Sequence, residues 1–96
     1  MSHSLGPLAN NLAAYAIYST AQTEMRHAYK LIETGDYLGA AAEIDSAAHA
    51  AEVLARATSE LDAERSERWR RVVVARRRFA EQARVRAAGT ALPLAA

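Results

Sequence analysis

The sequence predicts an all-α domain: a long antiparallel helical hairpin followed by a third, basic helix, forming either a three-helix bundle or a hairpin that dimerises into a larger bundle. Three observations carry this. Apolar residues recur at spacings of three and four along most of the chain, the period of a helix. One short break, Thr34-Gly35-Asp36, separates the first two such stretches. Neither Gly nor Pro occurs between Ala40 and Ala88, so helical composition runs on unbroken beyond the hairpin.

The first helix is expected over about residues 7–33, after a short N-terminal extension of residues 1–6. Pro7 suits a first helical position, because its φ is fixed and the N–H it lacks has no intrahelical acceptor there; Gly6 is a tolerable cap. Ala14, Tyr18, Ala21, Met25, Ala28 and Ile32 form a seam spaced 4-3-4-3-4, widened by Leu8, Tyr15, Ile17, Tyr29 and Leu31. Gly35 fits the left-handed position that closes this helix, and Asp36 can cap the next. So short a break folds the two helices back on each other. The second helix, about 36–58, presents Ala40, Ile44, Ala47, Ala51 and Leu54, with the stripe continuing at Leu61 and interrupted only by Thr58. A face made mostly of alanine lets a neighbouring helix approach closely and complements the bulkier Tyr and Met face of the first. Gly35, Tyr37, Ala40, Ile44 and Ala47 resemble the turn and second helix of a tetratricopeptide-type hairpin. The helix before them departs from that pattern, with Lys30 where a small residue is expected, so the resemblance implies a similar local shape and nothing further.

The next boundary is less marked. Either the chain bends near 57–62 and a third helix (about 60–88) packs on the hairpin, or one arm of about 50 residues runs straight for roughly 75 Å. A bend is favoured, because so long a helix needs a partner along its length. Thr58 and Ser59 are candidate caps, with Asp62 three residues after Ser59 as an imperfect capping box. The helix is expected to stop at Ala88-Gly89, leaving an 89–96 tail whose Leu92 and Leu94 dock in the same chain or in another.

Of the 49 apolar residues, 24 are alanine, and alanine adds little burial energy. A chain of 96 residues with so few bulky side chains is marginal as a monomer, which predicts a homo-oligomer, with a dimer favoured. Tyr18, Met25, Ile32, Ile44, Leu54, Leu61 and Val73 form its core or oligomer face. The longest uninterrupted apolar run, Leu12 to Tyr18, falls far short of the roughly 20 residues that span a bilayer, so no integral membrane association is expected. Met1–Asn11 lacks the basic start and apolar stretch of a signal peptide, and there is no cysteine. The chain is read as cytoplasmic. One lysine among 12 basic residues, with a quarter of the chain alanine, points to a GC-rich, bacterial genome.

The net charge of +1 hides a segregation. Residues 1–64 carry Arg26, Lys30 and Arg56 against nine acids, for −6; residues 65–96 carry nine arginines against Glu67 and Glu81, for +7. The third helix projects Trp69, Val72, Val73, Ala80, Ala83 and Ala87, with Phe79 at the edge and Arg76 inside this apolar face. Three readings follow. The basic helix can lie across the acidic hairpin, with local pairs Glu64–Arg68, Glu67–Arg71 and Arg77–Glu81 worth about 0.2–0.5 kcal/mol each. It can bind nucleic acid through arginine forks, with Trp69 stacking on bases, although no helix-turn-helix, zinc-finger or RNA-binding sheet motif is present. Or it can dock on an acidic partner protein as an adaptor, regulator or accessory subunit, with Trp69, Arg70, Arg71, Arg77, Arg78 and Arg84 as the contact residues. A non-enzymatic protein–protein interaction module is the function expected, with nucleic-acid binding through the same helix as the alternative.

Catalytic chemistry finds no footing. Cysteine is absent, the serines lack a sharp turn to present a hydroxyl, and no glycine loop can cradle phosphate, so neither an enzyme nor a cofactor is expected. Glu24-x-x-His27 has the spacing of a carboxylate–imidazole pair in di-iron bundles, and His49-x-x-Glu52 mirrors it. Folding about Gly35 sets residue 27 opposite roughly residue 43, so Glu43 is a candidate neighbour of His27. A small ferritin-like metal-binding hairpin assembled by dimerisation is the second alternative; the simpler reading is polar residues at a helix flank.

Overall fold

The computed structural model describes residues 4–91, which form three helices: α1 (Leu12–Glu33), α2 (Tyr37–Thr58) and α3 (Ala63–Ala91). They pack as a three-helix bundle in a rod of 57 × 20 × 20 Å, with no strand among the described residues.

Each start is set by an acceptor side chain. Helix α1 begins at Leu12, five residues later than Pro7 suggested, because Asn11 caps it: its Oδ1 accepts the Ala14 N–H at 3.0 Å. Pro7 instead lies in a separate 3-10 turn, Gly6–Leu8. Gly6 enters that turn at φ +52°, and a Cβ there would overlap the Arg65 side chain. Leu5 is thereby folded inward and is fully buried. Asp36 caps α2 by accepting the Gly39 N–H at 2.9 Å. Asp62, expected inside a capping box, is itself the cap of α3, accepting the Arg65 N–H at 3.1 Å. Thr58 is the last residue of α2, and Ser59 donates its hydroxyl back to Arg56 O at 2.8 Å.

The α1–α2 turn is a Schellman closure. Gly35 stands at φ +84°, its N–H donates to Ile32 O, and the Asp36 N–H donates to Leu31 O. Residues 59–62 form the bend between α2 and α3, so the straight-arm alternative does not occur. Gly89 does not stop α3, which continues to Ala91: among the described residues only Gly6 and Gly35 have positive φ, and Gly89 is accommodated as an ordinary helical residue. The docking expected of Leu92 and Leu94 lies outside the described residues.

Alanine decides how the helices pack. Helix α2 is the central element: Ala40, Ala41, Ile44, Ala47, Ala48, Ala51, Leu54, Ala55 and Thr58 are buried, whereas α1 buries Ala14, Ala21 and Ala28, one residue every seventh position. These small side chains let α1 and α3 approach α2 closely, while large ones bridge the wider gap between α1 and α3. Tyr18 meets Trp69 edge-on at 6.1 Å between ring centroids, and Tyr29 meets Phe79 at 5.8 Å. The core divides into two clusters. One holds Leu5, Ala14, Ala51, Leu54, Ala55 and Trp69; the other, nearer the Gly35 turn, holds Ala28, Ala40, Ala41, Ile44, Ala80 and Ala83. The burial that the alanine-rich faces lacked in the hairpin is thus supplied by α3 of the same chain.

Of the residues read as the core or oligomer face, Ile44 and Leu54 are buried, and Tyr18, Met25, Ile32 and Val73 are half-buried against the clusters. Leu61 is not part of the core. Helix α2 ends at Thr58, so Leu61 falls in the bend and stays 61% exposed.

Candidate interaction surface on the third helix

Helix α3 runs antiparallel to α2, and this pairing sorts most of its arginines into two sets. The inner set faces α2. Arg84 donates to Asp45 at 2.6 Å and to Glu81 at 3.0 Å; Arg77 lies 3.7 Å from Asp45 and 3.5 Å from Glu52. Asp45 and Glu52 are seven residues apart, as are Arg77 and Arg84, so two turns of one helix match two turns of the other. Hydrogen bonds to Asp45 and then to Glu81 raise the pKa of Arg84 above the ordinary arginine range. Arg70, one heptad earlier, pairs with Glu67 at 3.3 Å.

Arg76 sits between the two core clusters, half-buried, and donates to Ala47 O across the α2–α3 seam at 2.8 Å. Burial lowers its pKa, and the neighbouring Tyr29, Glu24 and Tyr18 oppose that. Arg65 bridges Asp62 at 3.2 Å and donates to Ser4 O, tying the N-terminal segment to the start of α3.

Arg68, Arg71 and Arg78 form the outer set. They are exposed and make no ion pair among the described residues. At 100° per residue they fall within about 80° of arc on the side away from the core. Val74, Ala75 and Val85 are exposed on the same side, Val74 at 52% and Val85 at 63%. The local pairs expected within α3 are absent. Glu67 turns to Arg70 and not to Arg71, Glu81 turns to Arg84 and not to Arg77, and Arg68 and Glu64 do not pair. The geometry explains the exchange: Arg77 reaches the stronger field of two carboxylates on α2, which frees Glu81.

The six contact residues read from the sequence therefore separate. Arg71 and Arg78 are exposed and make no ion pair among the described residues; Arg77 and Arg84 are bound to α2, and Arg70 to Glu67. Trp69 is 7% exposed, packed among Leu5, Leu54 and Tyr18, and its buried Nε1–H has no hydrogen-bond partner among the described residues. It is a core residue and cannot stack on a base. Sequence reasoning missed Arg68, Val74 and Val85. It also missed the pairing of Asp45 and Glu52 with Arg77 and Arg84, although the matching seven-residue spacing was legible.

On the opposite side of the bundle, the α1–α2 seam joins the polar residues considered as metal ligands. His27 Nδ1 lies 3.2 Å from Glu43 Oε1, as the register about Gly35 required, and Ser46 donates its hydroxyl to Glu24. Thr20, Glu24, Ser46 and His49 line a shallow groove of about 330 Å³ with Ile17 and Val53. Among the described residues no three His, Cys, Asp or Glu side chains gather to hold a metal ion. The two polar pairs are cross-links between helices. Among the described residues no helix is long and apolar enough to cross a membrane. Comparison with known protein families, with curated proteins and with solved structures returns no match.

Proposed function

We propose that the protein is a non-enzymatic helical interaction module, acting in the cytoplasm, that presents the outer face of α3 to a partner protein. The observation that carries this reading is the division of the arginines. Five of those on α3 are engaged by Asp62, Glu67, Asp45, Glu52, Glu81 or the Ala47 carbonyl, so folding alone accounts for them. Arg68, Arg71 and Arg78 make no ion pair among the described residues, and they share their face with exposed Val74 and Val85. Cations interleaved with aliphatic side chains suit a protein contact, where both kinds of surface are buried together.

Nucleic-acid binding has less support. It would rest on the same three arginines without an aromatic platform, since Trp69 and Phe79 pack inward against Tyr18 and Tyr29. Self-association through this face is opposed by charge: a second copy would bring its own arginines to the same surface.

The reading is tested by placing the photo-cross-linking residue p-benzoylphenylalanine at position 74 in living cells. A protein adduct that disappears in the Arg71→Glu/Arg78→Glu variant is expected. Loss of every adduct, together with retardation of an oligonucleotide by the wild-type chain at low salt, transfers the function to nucleic acid.

A further inference from the structure

The grip of α3 on α2 has a simple pattern. On α3 it reads Arg77-x-x-Ala80-x-x-x-Arg84, and on α2 it reads Asp45-x-x-Ala48-x-x-x-Glu52. Ala48 and Ala80 are fully buried, and the flanking charges pair as described. The physical logic is that two charges seven residues apart lie on one side of a helix, two turns from each other. A small apolar residue between them lets the backbones close until the charges meet.

The same pattern recurs on the outer face, one helical flank away, as Arg71-x-x-Val74-x-x-x-Arg78. There the flanking arginines make no ion pair among the described residues and the central Val74 is 52% exposed. Helix α3 carries this pattern three times: Arg77/Ala80/Arg84 is filled by α2, Arg70/Val73/Arg77 has its arginines held by Glu67, Asp45 and Glu52, and Arg71/Val74/Arg78 makes no ion pair among the described residues. Resting on the reading of this face as a protein contact, we infer that the outer pattern binds a helix of α2-like chemistry from another protein: two carboxylates seven residues apart flanking a small apolar residue. The bound helix lies along the outer side of α3 and turns the three-helix bundle into a four-helix one.

The occupant is not a second copy of this chain. Its acids seven residues apart are Asp36/Glu43, Asp45/Glu52 and Glu60/Glu67. Asp36 caps α2, Glu43 pairs with His27, Asp45 and Glu52 hold α3, and Glu67 pairs with Arg70. A folded copy therefore has no such pair free at both ends.

The test uses the full chain and two fluorescent helical peptides of equal composition. One carries glutamates seven residues apart around an alanine; the other has the glutamates five apart, on different faces. Fluorescence anisotropy should show the first binding about tenfold more tightly, with the preference lost in Arg71→Glu/Arg78→Glu. A third peptide with lysines in place of the seven-spaced glutamates should bind that variant and not the wild type. Equal affinity for both glutamate peptides, or no binding of either, overturns the acidic-helix inference. If the cross-link at position 74 persists in that case, the protein-contact reading stands; if it is lost as well, both fall.

Discussion

The Ala55 carbonyl near the end of α2 offers the sharpest test of how α3 is fastened to the hairpin. In a continuing helix it would accept the Ser59 N–H, but that N–H turns to Arg56 O at 3.3 Å. Two hydroxyls replace it. Ser66 Oγ, from the first turns of α3, donates at 2.7 Å, and Thr58 Oγ1 lies at 3.2 Å while also reaching Leu54 O at 2.8 Å. Ser66 and Thr58 are 1% and 0% exposed, so water cannot take over. Replacing Ser66 with Ala removes the shorter bond and leaves Ala55 O with a share of the single Thr58 proton, a loss of about 1–2 kcal/mol. For a domain of this size that lowers the melting temperature by roughly 5–15 °C. Thr58→Val alone should be nearly neutral, because Ser66 still serves Ala55 O. The double variant leaves the carbonyl buried and bare, and should lose about 1 kcal/mol more than the two single effects combined. Urea denaturation followed by far-UV circular dichroism measures all three. Strict additivity, or an unchanged Ser66→Ala, would refute the argument that α3 is held by this shared acceptor.

Three further outcomes follow from the same geometry. Arg77→Glu/Arg84→Glu sets acids against Asp45 and Glu52 and should lower the melting temperature, an effect that salt reduces; Arg71→Glu/Arg78→Glu should leave it unchanged, and equal losses would erase the distinction between the two faces. Folding disfavours the charged form of Arg76 at every pH below the arginine range, since burial lowers its pKa, and Ala47 O keeps its intrahelical donor without it. Arg76→Met should therefore stay within about 1 kcal/mol of wild type, while Arg76→Ala loses the buried stem as well and unfolds at lower urea. The Asp62 pKa is depressed, chiefly by the Arg65 backbone N–H; burial opposes this, and the Arg65 side chain and the charges of Arg65 and Arg68 add to the depression. Its stabilising contribution is present above the ordinary carboxylate range and is lost as pH falls through the depressed value; melting curves of Asp62→Asn across acidic pH should show a flatter decline than wild type.

The parts of the fold legible in the sequence were those signalled by local chemistry. Gly35 requires a left-handed backbone and Asp36 an unpaired N–H to cap, so the hairpin and its register, including His27 against Glu43, followed from short-range rules. The start of α1 did not, because Pro7 and Asn11 are both good openings for a helix. The choice between them rests on Leu5, which reaches the core only if the chain turns between the two. The interaction face was half legible. Amphipathic spacing placed Trp69 on the apolar side, and the structure assigns it wholly to the core. Which arginines remain available depended on the rotation of α3 against α2. That rotation is fixed by long-range contacts such as Arg84 with Asp45, 39 residues away, which no local pattern within α3 reveals.

The aromatic bridges between α1 and α3 have a consequence for how the chain unfolds. Tyr18 and Tyr29 leave α1 toward α3, where Trp69 and Phe79 pack against them, so the hairpin without α3 would expose more of these side chains to water and keep mainly alanine contacts with α2. It is therefore not a stable subunit of the fold. The helices should open together, with the slowest-exchanging amides of all three reporting one common free energy and not a ladder of separate ones. Two helices joined by an unambiguous turn thus belong to a single cooperative unit whose closure waits on the third.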